Sequence, residues 1–178
     1  MKKSHVISKS EMKEAQLNPK TVFTPEELMP ENAFKYLKKM GMEQKKIKEL
    51  RKILRILGKF SYSQELDPSK VEVVCREDSV YIGELDPITG LKQGIGILVT
   101  TEGRMYEGEW RRDQKHGYGR EIVLNEFYFI GNWYDDRRSG TGKMTLSDGT
   151  TKEGCWSRYS RSKFLITYPD GRQVHSGS

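Results

Sequence analysis

The sequence predicts a mainly β protein, in which an elongated single-layer antiparallel sheet of stacked β-hairpins follows an α-helical, basic N-terminal arm. Three observations predict this fold. Glycine and tryptophan recur together at a 23-residue step, nearly all the glycines lie after residue 80, and the positive charge lies in the first sixty residues. Residues 1–60 contain 15 Lys and Arg against 7 Asp and Glu, a net charge of +8, so the remainder carries −2 of the overall +6.

The length and composition limit the class of protein. A chain of 178 residues allows one ordinary domain, or one small domain with an appendage. No apolar run approaches the ~18 residues that a membrane-spanning helix needs, and the basic start is not followed by the apolar segment of a secretory signal. The two cysteines, Cys75 and Cys155, lie far apart, which favours unpaired thiols in a reducing compartment. We therefore expect a cytoplasmic protein.

The first sixty residues predict a flexible tail, residues 1–23, and a helical arm, residues 24–60. Thr24-Pro25-Glu26-Glu27 combines an N-cap threonine, a proline at the first helical position and a glutamate three residues after the cap. A short helix should start there and break near Pro30. Apolar residues then recur at helical steps, first at Phe34, Leu37 and Met40 up to Gly41, and then at Ile47, Leu50, Leu54 and Leu57 up to Gly58.

The last helix of this arm, which ends at Gly58, is strongly amphipathic. Its polar face is basic and comprises Lys45, Lys46, Lys48, Lys52 and Arg55. Three interpretations are open. In the first, the apolar stripe packs on the aromatic groove of the sheet or on a partner helix. In the second, the helix lies on an anionic membrane or serves as a calmodulin-like target. In the third, it docks on an acidic protein surface such as tubulin. Nucleic acid is not expected, because the aromatic residues lie outside the lysine-rich segment.

The rest of the chain is a linker, residues 61–70, and a repeat array, residues 71–175. The unit is an aromatic residue, any residue, glycine, any residue and tryptophan, followed by Gly-x-Gly; Trp110, Trp133 and Trp156 mark its 23-residue step. There are three good copies and one degenerate copy, in which Lys163 and Leu165 replace the paired glycines. A period of this length fits one β-hairpin per repeat. Residues 71–76 are expected to add one strand before the first hairpin.

The strand alternation predicts two different faces. Tyr106, Gly108 and Trp110 should line an aromatic face, and Glu107 and Glu109 should point to a largely polar one. Glycine between two aromatic residues leaves a notch, which we expect to serve ring packing. Tight turns with positive φ are predicted at Glu102-Gly103, Asp148-Gly149 and Asp170-Gly171, whereas Asn125-Glu126 lacks this signal.

The segment YEGEWRRDQKHGYG at 106–119 resembles a MORN repeat, with Lys115-His116-Gly117 departing slightly from the usual Lys-x-His-Gly. The resemblance covers roughly residues 81–172, and the chain is similar to small stand-alone MORN proteins of cilia and axonemes. It implies an elongated antiparallel sheet of hairpins with a grooved face that commonly receives a helix or peptide, and it does not imply catalysis. MORN arrays occur in ciliary radial spokes, cytoskeletal assemblies and junctional membrane proteins, and beside lipid kinases and lysine methyltransferases.

No residue pattern predicts an enzyme, a cofactor or a metal site. The segment Ser139–Lys143 partly resembles a phosphate-binding loop. It lacks the first glycine of that motif and the Ser or Thr that would bind magnesium. The Asp135-Asp136 pair falls in a predicted hairpin turn, and the three histidines form no zinc-spaced pair with a cysteine.

We therefore expect a non-enzymatic scaffold of a larger assembly, a ciliary axoneme or the cytoskeleton, and we expect its partners to be proteins of that assembly. The predicted aromatic binding face comprises Tyr81, Tyr106, Trp110, Phe129, Trp133 and Trp156, and the predicted arm site comprises Ile47, Leu50, Leu54, Leu57, Lys45, Lys48, Lys52 and Arg55. The alternatives are a peripheral adaptor that binds anionic lipid through the basic helix, and a regulatory subunit of a separate enzyme. The basic residues 1–20 are also compatible with a mitochondrial assembly.

Overall fold

The computed structural model describes residues 30–157 and 162–176, in which two helices precede a sheet of ten strands. The helices are α1 (Pro30–Lys39) and α2 (Gln44–Leu57), and a 3-10 turn covers Pro68–Lys70. The strands are β1 (Val71–Cys75), β2 (Ser79–Leu85), β3 (Lys92–Thr100), β4 (Arg104–Arg111), β5 (Gln114–Val123), β6 (Phe127–Tyr134), β7 (Arg137–Leu146), β8 (Thr151–Trp156), β9 (Lys163–Thr167) and β10 (Gln173–Ser176).

The sheet is an unbroken meander. The strands lie side by side in chain order from β1 to β10, and every neighbouring pair is antiparallel. The predicted fold class, an open antiparallel sheet of hairpins preceded by helices, is therefore confirmed. The strand expected at residues 71–76 is also confirmed, because β1 pairs along its length with β2 and opposes Val73 to Ile82.

The repeat glycines form one continuous row across the sheet. Each glycine opposes the next, in the order Gly83, Gly96, Gly108, Gly119, Gly131, Gly142 and Gly154. The reason is steric, since the aromatic ring that starts each repeat folds over this row. A Cβ at Gly96 would lie 2.3 Å from the Tyr81 hydroxyl, and one at Gly119 would lie 2.3 Å from the Tyr106 hydroxyl. The row ends at β9, where Phe164 opposes Gly154, as the degenerate copy predicts.

The turns at the two ends of the hairpins have left-handed backbone, as their residues predict. Gly103 has φ 97° and Gly149 has φ 88°. Asn125, where the glycine signal is absent, has φ 64°, so asparagine occupies the left-handed region in its place. At the opposite end, Asp135 and Asp136 are both left-handed, with φ 46° and 64°, which confirms that this acidic pair lies in a hairpin turn.

The helices end where the sequence predicts. Gly41, with φ 90°, follows α1, and Gly58, with φ 71°, follows α2, and the Gly58 amide donates to the Leu54 carbonyl. The helices are also joined by an ion pair between Arg51 and Glu31, 2.6 Å long. The predicted tail and the helix-start signature at Thr24 lie outside the described residues.

The helices pack on the sheet, but on the face opposite the aromatic rings. Phe34, Leu37, Ile47 and Leu50 share one buried core with Val80, Ile82, Ile95, Ile97, Val99, Met105 and Ile122 of β2–β5. The expectation of a largely polar second face is therefore wrong for this half of the sheet, and so is the placement of the helix on the aromatic groove. The expectation holds farther along, where Thr141, Lys143 and Glu153 are exposed. The helices thus cover half of one face.

Candidate interaction surfaces

The predicted aromatic face is a continuous row of edge-to-face rings. The ring centroid of Tyr106 lies 5.0 Å from that of Trp110 and 5.4 Å from that of Trp133, and the interplanar angles are 84° and 87°. Phe129 continues the row, at 5.3 Å from Trp133 and 4.9 Å from Trp156. Five of the six predicted residues are at most 4% exposed, and Trp156 is half-buried. The row therefore forms the core on the side of the sheet that faces away from α1 and α2.

The polar atoms of these rings are bonded within the sheet. The indole N–H of Trp110 donates to the Gly96 carbonyl at 3.1 Å, and that of Trp133 donates to the Gly119 carbonyl at 3.2 Å. The Tyr106 hydroxyl donates to the Glu109 carbonyl at 3.0 Å. Burial raises the pKa of this phenol, so it stays a hydrogen-bond donor over the physiological range. The rings therefore offer few unpaired polar atoms to a partner.

A row of cations lies over the rings and repeats at the same 23-residue step. The Lys92 ammonium lies 5.1 Å from the Trp110 ring centroid, and the Lys115 ammonium lies 4.7 Å from the Trp133 centroid. The Arg138 guanidinium lies 5.2 Å from the Phe129 centroid. Such contacts are cation–π interactions. Our sequence reasoning missed this row, although the step from 92 to 115 to 138 was a readable signal.

These cations are held by carboxylates of the same or a neighbouring repeat. Lys92 pairs with Asp113 at 2.9 Å, and Arg138 pairs with Glu121 at 2.9 Å. Lys115 also pairs with Glu121. A partner on this side would contact cation side chains and ring edges. The rings of the predicted aromatic residues pack on one another. Binding of a partner through them therefore stays a prediction.

The predicted arm site divides into a buried half and an exposed half. Ile47 is 1% exposed and Leu50 is 0% exposed, and Leu54 and Leu57 are partly buried against the same core. The basic residues of the prediction are exposed: Lys45, Lys48, Lys52 and Arg55. Ile56 stands among them and is 68% exposed. The sheet of the same chain therefore covers the apolar stripe, and the basic face points outward.

The linker after α2 is tied to the sheet by carboxylates of β2 and β4. The Tyr62 hydroxyl donates to Glu107 at 2.7 Å, and burial raises the pKa of this phenol. The Ser63 hydroxyl donates to Glu109, and the Asp67 amide donates to Glu84. Our sequence reasoning placed Glu107 and Glu109 on an open polar face. No local signal could have shown that Tyr62 and Ser63 donate hydrogen bonds to them.

A buried ion pair lies beneath this linker. Arg120 and Glu107 are each 4% exposed and lie 2.6 Å apart. A second Arg120 nitrogen donates to the Gly58 carbonyl at 2.8 Å, and the guanidinium lies 5.3 Å from the Phe60 ring centroid. Beside the pair is an open pocket of about 260 Å³, lined by α2, the first turn of α1 and the start of the linker.

Across residues 30–157 and 162–176, no group of three or more His, Cys, Asp or Glu side chains is placed to hold a metal ion. Neither helix in this part of the chain is long and apolar enough to cross a membrane.

Comparison with known proteins supports the repeat assignment. The family model of the MORN repeat matches residues 106–122 and 129–151. Human and mouse alsin are each 29% identical to the chain over 85 residues, and rat alsin is 28% identical over 85 residues. These matches cover 45% of this chain and 5% of each alsin. The chain therefore contains MORN repeats, and the residues that match lie mainly in strands β4 to β7 of its sheet.

Proposed function

We propose that this chain is a non-enzymatic interaction protein that holds a place in a larger assembly, a ciliary axoneme or the cytoskeleton. MORN repeats support a role in protein interaction or membrane association. The observation that carries the proposal is the division of α2, whose apolar stripe is buried on the sheet while its basic face is exposed. The repeats hold this helix as a rigid, positively charged platform.

The platform fits an acidic protein surface. Residues 35–59 carry ten Lys and Arg against two Glu, a net charge of +8. Lys45, Lys48 and Lys52 are exposed on one helix, so their fields add at short range and steer an acidic partner. Salt weakens such contacts, because the Debye length falls from ~10 Å at 0.1 M to ~3 Å at 1 M ionic strength. The choice of a cilium or the cytoskeleton rests on the resemblance to small MORN proteins.

Detergent extraction of ciliated cells that carry a tagged copy tests this function. We expect the chain to stay in the detergent-insoluble pellet and to leave it in a high-salt wash. Lys45→Glu with Lys48→Glu should release it at lower salt than the unaltered chain. Full release by detergent alone would contradict a cytoskeletal place.

A second candidate function is a peripheral membrane adaptor. Ile56, at 68% exposed, projects from the basic helix next to Arg55, and an apolar residue among cations is suited to the headgroup region of an anionic bilayer. Flotation with vesicles of phosphatidylserine and phosphatidylcholine tests it. If the chain binds these vesicles and Ile56→Ser weakens the binding, the membrane adaptor is favoured. If the chain does not float with the vesicles, the adaptor function is wrong.

A further inference from the structure

Among the described residues, the helical layer has an open pocket beside the buried ion pair. Leu54 and Phe60 supply apolar surface, Tyr62 supplies its ring, and Arg55 and Lys59 stand at the border with solvent. We propose that this pocket is an anchor site for one apolar side chain of an acidic partner segment. The inference rests on the proposed function, because it names the partner chemistry that the basic platform would recognise.

The charges inside the pocket are already satisfied. Arg120 donates to Glu107 and to the Gly58 carbonyl, and the Tyr62 hydroxyl also donates to Glu107. The buried pair therefore holds no unpaired charge that would capture an ion. An apolar group that enters can cover Leu54 and Phe60 without breaking a hydrogen bond, and it gains the usual benefit of leaving water.

The size of the pocket matches a side chain better than a whole ligand. Its volume of about 260 Å³ lies below the ~300–1,000 Å³ of sites that bury drug-sized molecules. Interfaces between proteins commonly place one aromatic or aliphatic anchor in a pocket of this kind and surround it with polar contacts. A phenylalanine or leucine is therefore the expected occupant.

The border of the pocket sets the charge of the residues that flank this anchor. Arg55 and Lys59 are exposed there, whereas Arg51 is engaged by Glu31. Both exposed cations belong to the segment of net charge +8. Carboxylates beside the anchor residue of the partner would form charge-assisted hydrogen bonds with these two cations, whereas lysines at the same positions would be repelled. The pocket thus selects an apolar residue in an acidic context.

Peptide titration of the full-length, ¹⁵N-labelled chain tests the anchor. The three probes are a nine-residue Glu/Gly peptide with a central phenylalanine, the same peptide with a central serine, and a Lys/Gly peptide with a central phenylalanine. The acidic phenylalanine peptide should bind about tenfold or more tightly than the serine peptide. Its amide shifts should centre on Gly58, Lys59 and Phe60. Equal affinity of the two acidic peptides, or no shift at these amides, would overturn the proposal.

Two charge-matched variants separate the pocket from the platform. Arg55→Glu with Lys59→Glu alters the border of the pocket, and Lys45→Glu with Lys48→Glu makes the same charge change elsewhere on the helix. The first reverses the charge at the border, so it should shift binding from the acidic phenylalanine peptide to the lysine phenylalanine peptide. The second should weaken both acidic peptides while it keeps the preference for phenylalanine over serine. Melting temperatures close to that of the unaltered chain establish that both variants fold.

The outcomes distinguish this proposal from the proposed function. If both variants weaken both peptides equally, the contact is diffuse, so the anchor is wrong while a basic platform stands. If neither variant alters salt-sensitive retention in cells, the platform itself is wrong. Should the border variant instead abolish binding to phosphatidylserine vesicles while no peptide binds, the pocket serves the membrane and not a protein segment.

Discussion

Trp133→Ala tests whether the aromatic row is the core of the array or an open docking surface. The Trp133 ring is 4% exposed and packs edge-to-face on Tyr106 and Phe129, with centroids at 5.4 and 5.3 Å. Truncating a buried aromatic ring costs about 3–5 kcal/mol. Because the ring links two neighbouring hairpins, the loss should propagate along the array. At about 2–4 °C per kcal/mol for a chain of this size, the melting temperature should fall by about 6–20 °C.

Scanning calorimetry is the suitable assay, since it does not depend on tryptophan fluorescence. Two variants make the result specific. Trp133→Phe keeps a ring but leaves the Gly119 carbonyl without its indole donor, so it should cost about 1–3 kcal/mol. Tyr134→Ala alters the next residue, which is 49% exposed and whose ring contacts His116 and Arg111, so it should cost about 1 kcal/mol. An unchanged melting temperature for Trp133→Ala would refute the reasoning and make the row a docking surface.

Three further predictions concern the glycine row, the buried ion pair and the shared core. Gly119→Ala places a Cβ 2.3 Å from the Tyr106 hydroxyl and should cost about 1–3 kcal/mol through overpacking. Arg120→Ala leaves the Glu107 carboxylate buried and unpaired, and should cost about 3–5 kcal/mol; Arg120→Met with Glu107→Gln should cost less. Leu50→Asp puts a charge where the side chain is 0% exposed, so the helices and the first hairpins should lose stability together.

Urea denaturation followed by circular dichroism measures the free energy of unfolding for each of these variants. A stability equal to that of the unaltered chain for Gly119→Ala would show that the ring does not lie over the glycine row. If the double substitution of the ion pair costs more than Arg120→Ala, the pair stabilises the fold in its own right. Protection of the β2–β4 amides from hydrogen exchange that survives Leu50→Asp would show that the sheet folds without its helices.

The sequence by itself determined the elements of this protein, because these depend on local chemistry. The 23-residue step, the alternation along each strand and the glycines with positive φ specify hairpins and turns through backbone sterics alone. The ends of the helices at Gly41 and Gly58 follow from the same kind of signal. The glycine notch was also readable, since aromatic residues flank it at a two-residue spacing in Tyr106-Glu107-Gly108-Glu109-Trp110.

Only the tertiary structure decided which face of the sheet the helices cover and what remains exposed. Val80 and Ile82 flank Tyr81, and Ile97 lies between Gly96 and Leu98. Both faces of the first hairpins are therefore apolar, and periodicity cannot choose between them. The choice depends on contacts between distant residues, such as that of Arg120 with the Gly58 carbonyl, 62 positions away. Those contacts bury the apolar stripe of α2, leave its basic face in solvent and create the pocket beside it. A local pattern encodes which face of a helix is apolar, but packing across the whole chain determines what covers that face.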